Sequence, residues 1–244
     1  MKQLLRLNSR FSGYLHDLIF ANYCPSCGIN VAYPNTMCHT CWSKITFITG
    51  NTCKSCGRPE HFGFAYHNYC NNICFKHRYT FSSIKASCIY SNSIKKVIHG
   101  FKYEDKTMYI DIIGKFLSHV LPYVSDIDAI IPVPLHKSRL RERGYNQSAI
   151  IAKHVSSILR KPCLFDCLIR KYNTPKQMSL SKKMRTSNIR GAFTVPKTKA
   201  TSFSGLKILL VDDIITTGAT IRECARIIKT YNALTVSALA IART

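Results

Sequence analysis

The sequence predicts an α/β chain, a parallel sheet flanked by helices, preceded by a small cysteine-rich metal-binding domain. Three observations carry that reading. Cysteines crowd in pairs into the first third of the chain. Short apolar runs then alternate with segments of helical period. One of those runs, Lys207 to Val211, leads directly into two aspartates and a turn of small residues. Strands that alternate with helices pair in parallel, and ligand sites then fall at the strands' carboxyl ends.

Leu4, Leu7, Phe11, Leu15 and Leu18 recur at helical spacing with Lys2, Arg6 and Arg10 on the other side, so residues 1–22 read as an amphipathic helix. Such a helix docks on the rest of the chain or lies on a membrane surface. The paired cysteines define a domain over 23–78, and the α/β pattern occupies 79–244. There Ile84 to Tyr90 reads as a strand, and Ile94, Val97, Ile98 and Phe101 form one helical face with Lys95, Lys96 and Lys102 off it. A second helix is predicted over Met108 to Val120, a buried strand over Asp128 to Val133, and a helix over Asn146 to Leu159. Leu206 to Val211 is a further buried strand, Thr220 to Thr230 a helix, and Ala233 to Ala240 the last strand.

Twelve cysteines in 244 residues would by chance give about 0.6 pairs at any one spacing. Instead Cys24/Cys27, Cys38/Cys41 and Cys53/Cys56 are all C-x-x-C, and Cys70/Cys74 follows with one extra residue. A C-x-x-C turn brings two sulfurs to one metal, and zinc takes four thiolates tetrahedrally. Gly28 and Gly57, each directly after a pair, suit that tight turn. Eight ligands imply two structural zinc ribbons. Sequential pairing groups Cys24, Cys27, Cys38 and Cys41, then Cys53, Cys56, Cys70 and Cys74; interleaved pairing is the alternative. Four thiolates leave no open position for water, so the metal's role is folding, worth about 10–16 kcal/mol in isolated zinc-finger peptides. His39, His61, His67 and His77 read as solvated, and Cys88, Cys163, Cys167 and Cys224 as small core residues.

The chain carries 35 Lys and Arg against 12 Asp and Glu, a formal charge of +23, yet 46% of it is apolar. That excludes a disordered basic tail. No apolar run approaches the roughly 18 residues of a membrane span. The N-terminus lacks a secretory signal's unbroken apolar core, so the expected location is the cytoplasm, with reduced thiols. A small anionic ligand would use few of the positive groups. The remainder points to a polyanion such as single-stranded DNA, with exposed Tyr, Phe or Trp42 available to stack on bases; a general bias toward Lys is the alternative.

The sharpest motif is Val211-Asp-Asp-Ile-Ile-Thr-Thr-Gly-Ala-Thr220. Its turn can aim N–H groups and hydroxyls at a phosphate, with a helix N-terminus behind it. Asp212 and Asp213 make poor core residues, because paired ionised carboxylates are costly to bury without cations or donors. A Walker-type P-loop is excluded, since no G-x-x-x-x-G-K-[ST] follows any strand.

This stretch resembles the phosphoribosyl-pyrophosphate (PRPP) loop of type I phosphoribosyltransferases. Pro132-Val-Pro-Leu-His136, then Arg139, Arg141 and Arg143-Gly-Tyr-Asn-Gln147, resemble a signature of ComF-type competence proteins. So does Thr174-Pro-Lys-Gln-Met-Ser-Leu-Ser with Arg185 and Asn188-Ile-Arg-Gly-Ala-Phe193. With the cysteine pairs and the ending Ala-Leu-Ala-Ile-Ala-Arg-Thr, the resemblance spans nearly the whole chain from about Tyr23. Ser179, where the family often has Gly, departs from it.

The resemblance implies a type I phosphoribosyltransferase fold behind a double zinc ribbon. It assigns Asp212 and Asp213 to the ribose hydroxyls and to catalysis, and Thr216, Thr217, Gly218, Ala219 and Thr220 to the 5′-phosphate. Leu135, His136 and Lys137 fall in the pyrophosphate loop. Arg143, Gln177, Arg185 and Asn188 belong to a clamp and a flexible loop over the ligand, the basic stretch from Lys171 to Arg190. Magnesium would accompany PRPP. The implied role is in natural transformation, handling incoming single-stranded DNA, with competence or recombination proteins as partners. Two alternatives are a non-catalytic DNA-binding factor and a nucleobase-salvage enzyme. The acceptor is not legible.

Overall fold

Strands apolar on both faces need a layer of helices on each, and the described chain supplies both layers. The computed structural model describes residues 22–60, 69–77, 80–103, 106–173 and 189–244. The helix expected over 1–22, His61, His67, and the loop residues Gln177, Arg185 and Asn188 therefore lie outside the described residues. In chain order the helices are α1 (His39–Trp42), α2 (Asn72–Lys76), α3 (Asn92–Tyr103), α4 (Lys106–Leu117), α5 (Lys137–Arg143), α6 (Gln147–Leu159) and α7 (Ala219–Lys229). The strands are β1 (Ser83–Ile89), β2 (Ala129–Pro132), β3 (Ile169–Arg170), β4 (Phe193–Thr194), β5 (Lys207–Ile215) and β6 (Thr235–Arg243).

The main sheet runs β1-β6-β5-β2 with every pair parallel. In β5 the side chains alternate. Leu209 and Val211 join the core under α3, α4 and α6, while Ile208 and Leu210 join the opposite core under α7 and the antiparallel pair β3–β4. The predicted face Ile94, Val97, Ile98 and Phe101 is buried as its period requires. Cys88, Cys167 and Cys224 are core residues and Cys163 is half-buried.

Three local differences have physical reasons. The strand predicted to stop at Val211 continues through both aspartates to Ile215, because β6 pairs with it as far as Arg243. Lys137, expected in a loop, opens a short helix over Lys137–Arg143; His136 caps it, its Nδ1 accepting from Ser138 N–H at 3.2 Å, and it ends at Gly144 in the left-handed region. The pair β3–β4 was not legible, since two-residue strands leave no periodic trace.

β1 is a sheet edge, and the cysteine-rich segment covers it. Ile89 N–H donates to Thr46 C=O (2.9 Å) and Ile48 N–H to Ser87 C=O (2.8 Å), in an antiparallel bridge centred on Phe47 and Cys88. Covering an edge removes a site of unwanted strand pairing. Trp42, named above as a stacking candidate, is committed here instead: it is half-buried, with its ring 5.6 Å from Phe47 and 5.4 Å from Phe116. Asn35 adds hydrogen bonds to Asp111 (2.7 Å) and from Lys115 (3.0 Å), both on α4.

Phe116 is fully buried at the junction of the ribbon segment, α4 and the sheet. Phe116→Ala is expected to cost about 3–5 kcal/mol, read as a lower urea midpoint. A loss below about 1 kcal/mol would contradict that packing.

Candidate active site and metal centres

The eight ribbon thiols fall into two groups, and the pairing is sequential. Cys24, Cys27, Cys38 and Cys41 lie with their sulfurs within 4.8 Å of one another, as do Cys53, Cys56, Cys70 and Cys74. Close sulfur pairs stand at 3.6 Å (Cys27–Cys38), 3.6 Å (Cys56–Cys70) and 3.5 Å (Cys70–Cys74). Tetrahedral thiolates at 2.3 Å from one ion stand about 3.8 Å apart, so the donor sets fit zinc. The interleaved alternative is excluded by this grouping.

The electrostatics of each quartet call for a cation. At Cys24 burial works against ionisation, but hydrogen bonds from the backbone of Cys38, Ser26 and Cys27 outweigh it and draw the thiol down to about 7. Burial pushes Cys41 up to about 12. In the second quartet, hydrogen bonds from Cys53 and Cys74 lower Cys56, while burial raises Cys70 to about 11. Thiolates this close ionise together only around a positive ion.

The other candidate site lies at the carboxyl edge of the sheet. β2 and β5 are neighbours, with Val133 N–H donating to Val211 C=O at 2.9 Å, so the segment after β2 and the acids of β5 reach the same edge. Asp212 keeps some solvent contact but is densely surrounded. Burial first, then the Asp213 charge, raises its carboxyl to about 7, against hydrogen bonds from Asp213 N–H (2.9 Å) and Ser148 Oγ (3.0 Å). Lys102 Nζ from α3 pairs with Asp213 Oδ2 at 2.7 Å. Asn146 caps α6 and donates to Val133 C=O (3.0 Å), which fixes that helix start against β2.

Thr216 and Thr217 lead into α7, with Gly218 at φ +71° as its N-cap. Thr217 Oγ accepts from Ala219 N–H at 3.3 Å. An anion seated here would meet backbone N–H groups and the helix's positive end. The turn is braced from behind. Arg222 donates to Thr217 C=O, and a Cβ on residue 218 would stand 3.0 Å from its Nη1. Burial lowers the Arg222 pKa, and the charges of Cys74 and Cys56 act in the opposite direction. Arg243, at the end of β6, donates to Cys56 C=O. Gly57, at φ +70°, packs so closely on Ile84 of β1 that a Cβ would meet its carbonyl at 3.1 Å.

Of the predicted residues, Asp212, Asp213 and Thr216 to Thr220 gather at this edge. Leu135 and His136 are half-buried and Lys137 exposed at the start of α5. Arg143 donates to Gln147 Oε1 at 3.1 Å. Sequence reasoning missed Lys102, Ser148, Arg222 and Arg243. It also missed Arg170, buried over the Phe193 ring at 5.5 Å and bridged through its backbone to His136.

Two sequence patterns match this chain: the double zinc ribbon domain over residues 15–74 and the phosphoribosyl transferase domain over 146–243. Competence protein ComFC of Bacillus subtilis is 30% identical over 197 residues, which cover 78% of this chain and 76% of that protein. The chain belongs to the ComF family of competence proteins. Competence protein F of Haemophilus influenzae is 29% identical over 80% of this ComF-family chain and 85% of its own. DNA utilization protein YhgH of Shigella flexneri is 26% identical over 85% and 90% respectively. Among solved structures, an adenine phosphoribosyltransferase from Leishmania donovani aligns at 12% identity and a TM-score of 0.36, over 67% of this chain and 73% of that one; a likeness this low carries no weight. No helix among the described residues is long and apolar enough to cross a membrane.

About two zinc ions per chain are expected by atomic absorption, and about one in either Cys24→Ser or Cys56→Ser. Only Cys56→Ser should speed hydrogen exchange of the 216–220 amides, because Cys56 C=O accepts from Arg243, which pairs in the sheet with Ile215 at the start of the turn. One zinc in the unsubstituted protein, or equal exchange in both variants, would contradict the assignment.

Proposed function

We propose that this ComF-family protein binds PRPP with Mg²⁺ at the carboxyl edge of the sheet and handles incoming single-stranded DNA in the cytoplasm during natural transformation. The juxtaposition that carries the reading is Asp212 and Asp213 beside a braced anion turn, Thr216 to Thr220. A ligand that fits both must offer vicinal hydroxyls next to a phosphate, and a ribose 5-phosphate does. The names of the relatives, competence and DNA utilization proteins, support the DNA half of the proposal.

Each group has a part in binding. The carboxylates accept from the ribose 2′ and 3′ hydroxyls, and the turn takes the 5′-phosphate on its N–H groups. Leu135 to Lys137, on the neighbouring strand's exit, face the pyrophosphate end. Arg143 and the residues Gln177, Arg185 and Asn188 close over the ligand and exclude water. Hard carboxylate oxygens suit Mg²⁺, which when bound neutralises charge on the departing pyrophosphate. Transfer breaks the bond between ribose C1 and the pyrophosphate oxygen and joins C1 to an acceptor nucleophile. A charge of +23, far more than PRPP uses, favours a second reading in which the site senses PRPP and the protein's work is DNA binding.

Calorimetric titration with PRPP and Mg²⁺ tests the binding. Saturable heat is expected, lost in Asp212→Asn/Asp213→Asn; no heat from folded, zinc-loaded protein would overturn the proposal. Pyrophosphate release with candidate acceptors separates enzyme from sensor. The ligand needs Asp212 ionised, and burial and Asp213 raise that carboxyl to about 7. Affinity is therefore expected to fall as pH drops through that value, approaching tenfold per pH unit below it. A flat profile between pH 6 and about 8 would contradict the assignment.

A further inference from the structure

Helix α3 carries chemistry that the phosphoribosyl site does not use. Asn92, Lys95, Lys96, His99 and Tyr103 fall within one helical face, opposite the buried Ile94, Val97, Ile98 and Phe101, and all five are exposed. α3 contains no Asp or Glu. Glu104 and Asp105, which follow it, lie outside the described residues. Between the outer part of this face and the first zinc quartet is a cavity of about 950 Å³, lined among others by Tyr23, Asn35, Lys95, Lys96 and His99 and by no acidic side chain. At the other end the His99 and Tyr103 rings lie tilted against each other with centroids 4.8 Å apart, and the Arg143 guanidinium stands 5.8 Å from the Tyr103 ring. Lys102, next to Tyr103, pairs with Asp213 at 2.7 Å. The surface is thus continuous from the cavity to the carboxylate edge.

We infer that this face is a track for single-stranded nucleic acid. Lys95 and Lys96 would take backbone phosphates, and Tyr23, His99 and Tyr103 would stack on bases. The spacing argues for a strand. Asn92 to Tyr103 spans about 16 Å at 1.5 Å per residue, more than one small anion needs. Exposed rings interleaved with cations are what sequence-tolerant single-strand binding requires, because every base has a π-face. A duplex keeps its base faces stacked inside and gains nothing from Tyr103. The inference rests on the DNA-handling half of the proposed function and gives it a place: the strand's track ends where the phosphoribosyl ligand would sit.

Fluorescence anisotropy with a labelled oligothymidylate tests it, using the full-length, zinc-loaded protein. Lys95→Ala/Lys96→Ala should bind on the order of tenfold more weakly and flatten the log–log salt slope by about 1.4, two phosphates at about 0.7 each. Tyr103→Leu, which keeps an apolar body without a ring, should weaken binding at least about fivefold and leave the slope unchanged. Both variants should keep their zinc and their affinity for PRPP with Mg²⁺, since none of the three side chains is assigned to that ligand. If the unsubstituted protein binds the oligonucleotide while both variants match it in affinity and slope, the track is wrong and DNA handling stands. If the unsubstituted protein prefers duplex, or binds no oligonucleotide, the inference is overturned together with the DNA half of the proposal. PRPP titration, read separately, reports on the other half.

Discussion

Two carboxylates on consecutive residues at the end of a buried parallel strand impose a demand that the rest of the edge answers. Desolvating an ion costs several kcal/mol, and a like charge beside it adds to the cost. Asp212 and Asp213 are nonetheless held inside β5, between Val211 and Ile214, by continued pairing with β6. The answers come from three directions: Lys102 on α3, Ser148 in the first turn of α6, and the backbone N–H of Asp213. Those partners fix where α3 and α6 must sit over the sheet. Asp213 receives the one cation among them, while Asp212 has two neutral donors, and burial and the Asp213 charge leave its carboxyl raised to about 7 and so ready to exchange its proton for a ligand.

The anion turn makes a second demand, for rigidity. A short turn with Gly218 in the left-handed region would be loose if held only by its own helix. Arg222 ties Thr217 C=O, and Arg243, paired with Ile215 just before the turn, ties β6 to Cys56 C=O. The second quartet is therefore joined to the sheet at the end of β6, and the first part of the ribbon segment closes the β1 edge through Phe47 and Thr46. The ribbon segment and the sheet share packing at Phe116 and a hydrogen bond between Arg243 and Cys56.

Much of this was legible in the residues. Cysteine spacing gave the metal quartets because C-x-x-C is a local motif, and the strand, acids and turn of 207–220 are contiguous. The face of α3 followed from its period. Long-range partners were not legible. Nothing in the local sequence pairs Lys102 with Asp213 or Arg243 with Cys56, since those contacts exist only once helices and ribbon pack on the sheet. Trp42 shows the same limit in reverse: an aromatic near basic residues looked available for bases, but Phe47 and Phe116 claim its ring. His136 offered itself as a ligand-loop residue, and in the fold its Nδ1 caps α5.

The central claim is that one edge of the sheet holds a phosphoribosyl group, with its phosphate on the turn and its hydroxyls on the acids. A crystal structure of the protein grown with PRPP and Mg²⁺ tests it most directly. The account requires density for the 5′-phosphate on the N–H groups of residues 216–220 and for the ribose against Asp212 and Asp213, with Lys102 displaced or shared. Ligand density elsewhere on the molecule, or a clear edge at saturating ligand, would contradict it.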